Sequence, residues 1–294
     1  MKFNIYTYQF ERIIRHEYDL FNKDSYHTLT DDEWAKRQDI FASVLLGLKN
    51  ITFKDTAGNE YNHKEEWNNK SVFVFRLANE KQTKVDTVDF EEKDMPTYPP
   101  VYVIIDNRDG VQRLFIQKRP KAWLNTDTPA EIIRNTFDTI LTPKGMHFSI
   151  GDGPVYPTQS FWQFVNSAQK GISRVRFKFP PINLARLHNL AGSIDAIRDE
   201  TGAGYTADIK ATKDGIVLLR EDNPHTASLV NLSAASGTEI DIWKKGQTKR
   251  YVIGGENNEK ILEIKDRLIQ FINVKDLNGI IPTEELLRLL NEIE

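Results

Sequence analysis

From Ile172 to Phe179 the side chains alternate in character: Val175, Phe177 and Phe179 fall on one side, Arg174, Arg176 and Lys178 on the other. That period of two predicts a strand with one face in the core and a row of three cations facing outward. Residues 3–10 also alternate, but both sets contain apolar groups, so this strand is expected to be buried on both faces. Residues 101–105 and 111–117 flank a turn at Asn107-Arg108-Asp109-Gly110. A helix follows from Thr128-Pro129, with Glu131 placed to complete a capping box.

This strand-strand-helix order returns twice, with no residue-level repeat beneath it. Residues 205–212 and 216–220 flank Lys213-Asp214-Gly215, and Asn223-Pro224 opens the helix. Residues 238–244 and 250–253 then flank Lys245-Gly246-Gln247, with a helix expected over 260–272. Elsewhere, residues 71–76 and 84–90 predict strands, and residues 51–67 read as a polar stretch turning at Ala57-Gly58-Asn59. Thr30 with Glu33 predicts a capped helix whose apolar face runs from Trp34 through Phe41, Leu45 and Leu48. Further helices are expected at a Thr158 cap, over 184–197, and over 282–293, where Leu286, Leu289, Leu290 and Ile293 form a stripe.

The pattern predicts an α+β fold: mostly antiparallel hairpins in strand-strand-helix units, with helices packed on the sheet. The run Asp94-Met95-Pro96-Thr97-Tyr98-Pro99-Pro100 reads as a boundary, because prolines continue neither helix nor sheet. It divides an N-terminal α+β segment, 1–100, from a C-terminal α+β domain, 101–294, that holds a basic middle (101–190) and the terminal helix.

Composition changes the picture in two ways. With 39% apolar and 28% charged residues the chain is that of a globular protein, not a disordered one. Cysteine is absent, which removes disulfides, a thiolate nucleophile and Cys-based metal sites, and fits a reducing cytoplasm. The first residues lack the apolar core of a signal peptide, and no stretch has the length of a membrane span. The expectation is a soluble, cytoplasmic chain with no membrane partner.

The net charge of −3 hides an asymmetry. Residues 1–100 carry 14 basic and 18 acidic side chains, and 191–294 carry 13 and 18, whereas 101–190 carry 12 basic and only 6 acidic. Such a basic middle points to an anionic partner. Arg174, Arg176 and Lys178 lie about 6.6 Å apart along their strand, comparable to the spacing of phosphates on one nucleic-acid strand. Arg113, Lys118, Arg119 and Lys121, on or just after the central hairpin, are candidates to extend the row. Trp123, Tyr156 and Trp162 are candidates to stack on unpaired bases.

Candidate chemistry is thinner. Metal-dependent nucleases place an acid and a lysine two apart on one strand face, with another acid upstream. Asp208-Ile209-Lys210 meets that spacing, with Asp195, Asp199 and Glu200 upstream, and Glu91-Glu92-Lys93 meets it too. Two matches in one chain show how common so short a pattern is. None of the six histidines stands in metal-ligand spacing, and no GxSxG or Walker A motif occurs.

The reading that follows is a nucleic-acid-binding or accessory protein that works through a basic strand face, without cofactor. That role fits nucleic-acid processing or defence against foreign nucleic acid. A Mg²⁺-dependent nuclease using Asp208 and Lys210 is the first alternative. The second is a protein-interaction module without nucleic acid. Under any of these readings the leucine stripe makes the C-terminal helix a candidate contact for a homo-oligomer or a partner protein.

Overall fold

The computed structural model describes residues 1–13, 28–86, 88–108, 111–151, 153–168, 170–179, 205–213, 215–254, 261–263 and 283–291. The chain is α+β, with antiparallel sheets on which helices pack. Two compact units emerge: residues 1–4, 12–148 and 261–294 form the first, and residues 5–11 and 149–260 the second. The cuts therefore fall elsewhere than at the proline run. Strand β1 (Lys2–Arg12) gives its ends to the first unit and its middle to the second. Its side chains are buried on both faces, as the double alternation requires.

In the first unit, the Thr30 amide donates to Glu33 Oε2 at 2.8 Å and the Glu33 amide donates to Thr30 Oγ1 at 3.3 Å, completing the expected capping box. The single helix expected from there is interrupted at Lys36, giving α1 (Asp31–Ala35) and α2 (Arg37–Leu46), which buries Phe41 and Leu45. The polar stretch after it contains strands that composition alone did not reveal. β2 (Phe53–Lys54) and β3 (Glu60–Tyr61) close around Gly58 at φ 86°, and Asp55 Oδ1 accepts from the amides of Ala57 and Asn59. Next come β4 (His63–Asn68) and β5 (Val72–Ala78), then a separate two-stranded ribbon of β6 (Lys81–Asp86) and β7 (Glu92–Thr97).

Pro96 was expected to break the chain but lies within β7, opposite Gln82. A two-stranded ribbon has only edge strands, where a missing amide is tolerated. Val88 and Phe90, near the ribbon's turn, are exposed. Pro100 likewise opens a strand, β8 (Pro100–Asp106), which pairs with β5 along its whole length and with β9 (Arg113–Gln117) on the other side. α3 (Asp127–Leu141) starts one residue before the expected Thr128 cap. Thr126 at its N-cap makes no side-chain capping bond, its Oγ1 accepting from Asn4 Nδ2 at 2.6 Å, and Asn125 Oδ1 accepts from the Thr128 amide at 3.3 Å. Phe137 of α3 meets Phe41 and Phe53 edge-on, and Phe53 stacks on Phe75 at 5.3 Å, so one aromatic cluster ties helix to strands. Phe148 of β10 (Met146–Ile150) joins it.

In the second unit, the middle of β1 bonds to the segment after β10: the Gly151 amide donates to Thr7 O at 2.9 Å, and the Val155 amide to Ile5 O at 2.6 Å. α4 (Gln159–Ser167), β11 (Ile172–Phe179) and β12 (Tyr205–Lys210) follow. α5 (Pro224–Ser236), β13 (Ile240–Lys244) and β14 (Arg250–Ile253) complete the unit. The four strands form one antiparallel sheet in the order β12-β11-β13-β14. Phe161 and Trp162 of α4, with Val230 and Ala234 of α5, cover its apolar face of Val175, Phe177, Ile240 and Ile242. α5 opens as the sequence predicts, with Asn223 Oδ1 accepting from the amides of His225 (3.0 Å) and Thr226 (3.1 Å). It ends at Gly237, φ 69°, where a Cβ would stand 1.8 Å from Gly153 O.

The hairpin expected between residues 205–212 and 216–220 does not form. The first segment pairs with β11 instead, continuing to Ala211, whose amide donates to Ser173 O, and the second meets β11 at a single bridge, where the Val217 amide donates to Ile172 O. The helix expected over 184–197 lies outside the described residues. Back in the first unit, β15 (Ile261–Glu263) pairs with residues 2–4 where the start of a helix was expected, and residues 264–272 lie outside the described set. α6 (Thr283–Asn291) buries Leu286 and Leu290 within the chain itself, so these two positions of the leucine stripe are not open to a second copy. No described helix is long and apolar enough to cross a membrane.

Candidate nucleic-acid interface

The alternation of β11 carries its functional consequence directly. Once Val175, Phe177 and Phe179 enter the core, Arg174, Arg176 and Lys178 must face the other way. Register then fixes their neighbours. Lys210 and Trp243 oppose Arg174, while Asp208 and Asp241 oppose Arg176 from either side. On the outermost strand Arg250 opposes Trp243. The outward positions of the four strands thus hold five cations (Arg174, Arg176, Lys178, Lys210, Arg250), two carboxylates and one aromatic ring. The balance on this face is +3.

The two carboxylates organise the cations. Asp208 accepts from Arg174 through both oxygens, Nε to Oδ1 at 2.8 Å and Nη2 to Oδ2 at 2.5 Å, in the paired geometry that guanidinium favours. Arg176 Nη2 donates to the same Oδ2 at 3.1 Å, and Lys210 Nζ lies 3.7 Å from it. The Arg174 hydrogen bonds, with help from Arg176 and Lys210, outweigh partial burial and hold the Asp208 carboxyl well below the usual carboxylate range. Asp208 in turn raises the Arg174 guanidinium above its ordinary value. Asp241 is buried, 1% exposed, beneath Lys178 Nζ at 3.1 Å and Arg250 Nη1 at 3.4 Å. A buried carboxylate persists only with cations about it, so Asp241 fixes where those two long side chains lie.

Trp243 sits half-buried among the charges. Arg174 Cζ lies over its ring at 4.5 Å from the centroid, and Arg176 Cζ at 5.8 Å. Arg174 is therefore held from two sides, by a carboxylate and by a ring. Neither Trp243 nor Asp241 nor Arg250 was singled out from the sequence. The signal was there in Ile240-Asp241-Ile242-Trp243, whose alternation places acid and ring on the polar side of a strand.

The other expected positions are distributed differently. Arg113 lies in β9 opposite Asp106, and Lys118, Arg119 and Lys121 follow it, all in the first unit. Lys118 and Lys121 are exposed, whereas Arg119 Nη1 donates to Pro100 O at 2.7 Å. The structure thus brings Arg174, Arg176, Lys178, Asp208 and Lys210 together in the second unit and assigns the remaining four to the first. Trp123, Tyr156 and Trp162 are buried, at 7%, 2% and 7% exposure, and offer no ring to a base. Glu91 and Lys93 belong to the ribbon, and Asp195, Asp199 and Glu200 lie outside the described residues. No protein-family model matches the chain, and no curated protein matches it in sequence.

Proposed function

We propose that this chain is a cytoplasmic nucleic-acid-binding or accessory protein whose contact surface is the outward face of β12-β11-β13-β14. The observation that carries the reading is the five-to-two excess of cations on that face. A merely solvated sheet face needs no such excess. Here both carboxylates are spent on fixing cations in place, and three positive charges remain to displace counterions from a phosphate backbone.

The nuclease alternative fares less well on the same geometry. A catalytic carboxylate must offer lone pairs to a divalent cation. Both Asp208 oxygens already accept from Arg174, and positive guanidinium groups occupy the space beside them. Asp208 serves better as an anchor for Arg174 than as a ligand.

The test is fluorescence anisotropy with labelled oligonucleotides of unrelated sequence, titrated with salt. Three net charges predict a slope of log affinity against log salt of about −2 for single strands and about −2.7 for duplex, alike for every sequence. Absence of binding at 20 mM salt would overturn the reading.

A further inference from the structure

The face that holds the cations is four strands wide, so three inter-strand spacings make it roughly 14 Å across. The major groove of B-DNA, about 12 Å wide, admits a helix or a two-stranded ribbon. A duplex could therefore meet this face only along its outer phosphates, and its bases, stacked on one another, would stay out of reach. A single strand can lie across a sheet face and turn a base toward it.

The face also offers what an unpaired base needs. Trp243 is half-buried, so part of its ring meets solvent, and it lies within the cation field, with Arg174 and Arg250 as its register partners. Arg174 over the ring at 4.5 Å presents a guanidinium beside an indole, a pairing on which bases stack irrespective of identity. Apolar surface adjoins the Arg174 end of β11: Ile216 and Leu218 are 44% and 71% exposed, while Val217 between them bonds to Ile172. Phosphate contact alone gives such side chains nothing to cover. Bases would cover them.

Resting on the nucleic-acid reading, we infer that the ligand of this face is single-stranded nucleic acid, its phosphates held by the strand cations and one base held against Trp243. Phosphate contacts then set the salt dependence and stacking adds a salt-independent increment.

The experiment compares a fluorescein-labelled 15-nucleotide oligo(dT) with a blunt 15-base-pair duplex on the unmodified protein, then on Trp243→Ala and Trp243→Phe. The single strand should bind at least tenfold tighter than the duplex at equal salt. Trp243→Ala should weaken it by about 5- to 150-fold, the range expected for one stacked base, without changing the salt slope. Trp243→Phe should retain most of the affinity. Equal or tighter duplex binding overturns the inference and leaves the nucleic-acid reading standing. So does a Trp243→Ala variant that binds both ligands as the parent does, or that loses both equally. If neither ligand binds the unmodified protein, both readings fall. Should Trp243→Ala not fold by circular dichroism, the strand preference of the parent and the behaviour of Trp243→Phe decide.

Discussion

Asp208→Asn is the substitution on which binding and catalysis make opposite predictions. The change removes one negative charge from the sheet face and takes the balance from +3 to +4. It also weakens the paired hydrogen bonds that occupy Arg174, while Trp243 still lies under the guanidinium at 4.5 Å to hold it near its place. If the face binds phosphates, one further cation becomes available to them. For a single strand the salt slope should steepen by about 0.7, from about −2.1 to about −2.8. One such added contact corresponds to roughly eightfold tighter binding at 50 mM salt relative to a 1 M reference, before any loss from a less ordered Arg174. Threefold or more is therefore the expected gain. The assay is anisotropy of a labelled oligonucleotide against salt, run beside a Mg²⁺ and Mn²⁺ cleavage assay on the same preparations. Binding weakened tenfold, or cleavage by the parent that Asp208→Asn abolishes, would refute the reasoning and restore Asp208 to a catalytic role.

Other consequences follow from the same contacts. Because Arg174 hydrogen bonds depress Asp208, Arg174→Ala should return its carboxyl toward the ordinary value of about 3.9, read by carbon-detected NMR titration. The sign is that of a carboxylate favoured in its charged form: the stabilisation is complete above the unfolded-state value and fades as pH falls through the lower folded-state value. Leu290→Ala, at a position 1% exposed, should cost about 2–5 kcal/mol in urea denaturation; a smaller loss would show that α6 is dispensable to the core. Gly237→Ala places a methyl group against Gly153 O at a left-handed backbone, so a marked fall in Tm is expected, by more than the roughly 1–2 kcal/mol of the backbone conformation alone. An unchanged Tm would show that this turn can rearrange.

Strands with one clean alternation were legible in the sequence because burial on one side forces it. β11 is the clearest case, and the β13–β14 pair was legible instead from the Lys245-Gly246-Gln247 turn between its strands. The two short strands β2 and β3 were not, since two residues carry no period, and the Asp55 side chain rather than an apolar pattern holds their turn. Proline misled at Pro96 and Pro100, because its ban on ladder hydrogen bonds does not apply at a ribbon edge or at the first residue of a strand. For the site, the cation row could be read from β11 alone. Its partners could not, because Asp208, Asp241 and Trp243 are brought to it by register between strands that are 30 to 70 residues distant in sequence. The aromatic candidates failed for the converse reason: nearness in sequence to basic residues gave no information on which side of the sheet a ring would fall.

Whether phosphates are bound by this sheet face is decided by the triple variant Arg174→Ala/Arg176→Ala/Lys178→Ala. It leaves Lys210 and Arg250 against Asp208 and Asp241, a balance of zero, while the inward row of Val175, Phe177 and Phe179 is untouched. Salt titration of parent and variant with labelled oligonucleotides is the measurement. The variant should keep its fold and lose affinity by a similar factor for unrelated sequences, with the single-strand salt slope shallower by about two. A variant that binds with the parent's affinity and slope would show the row to be a solvated sheet face and nothing more.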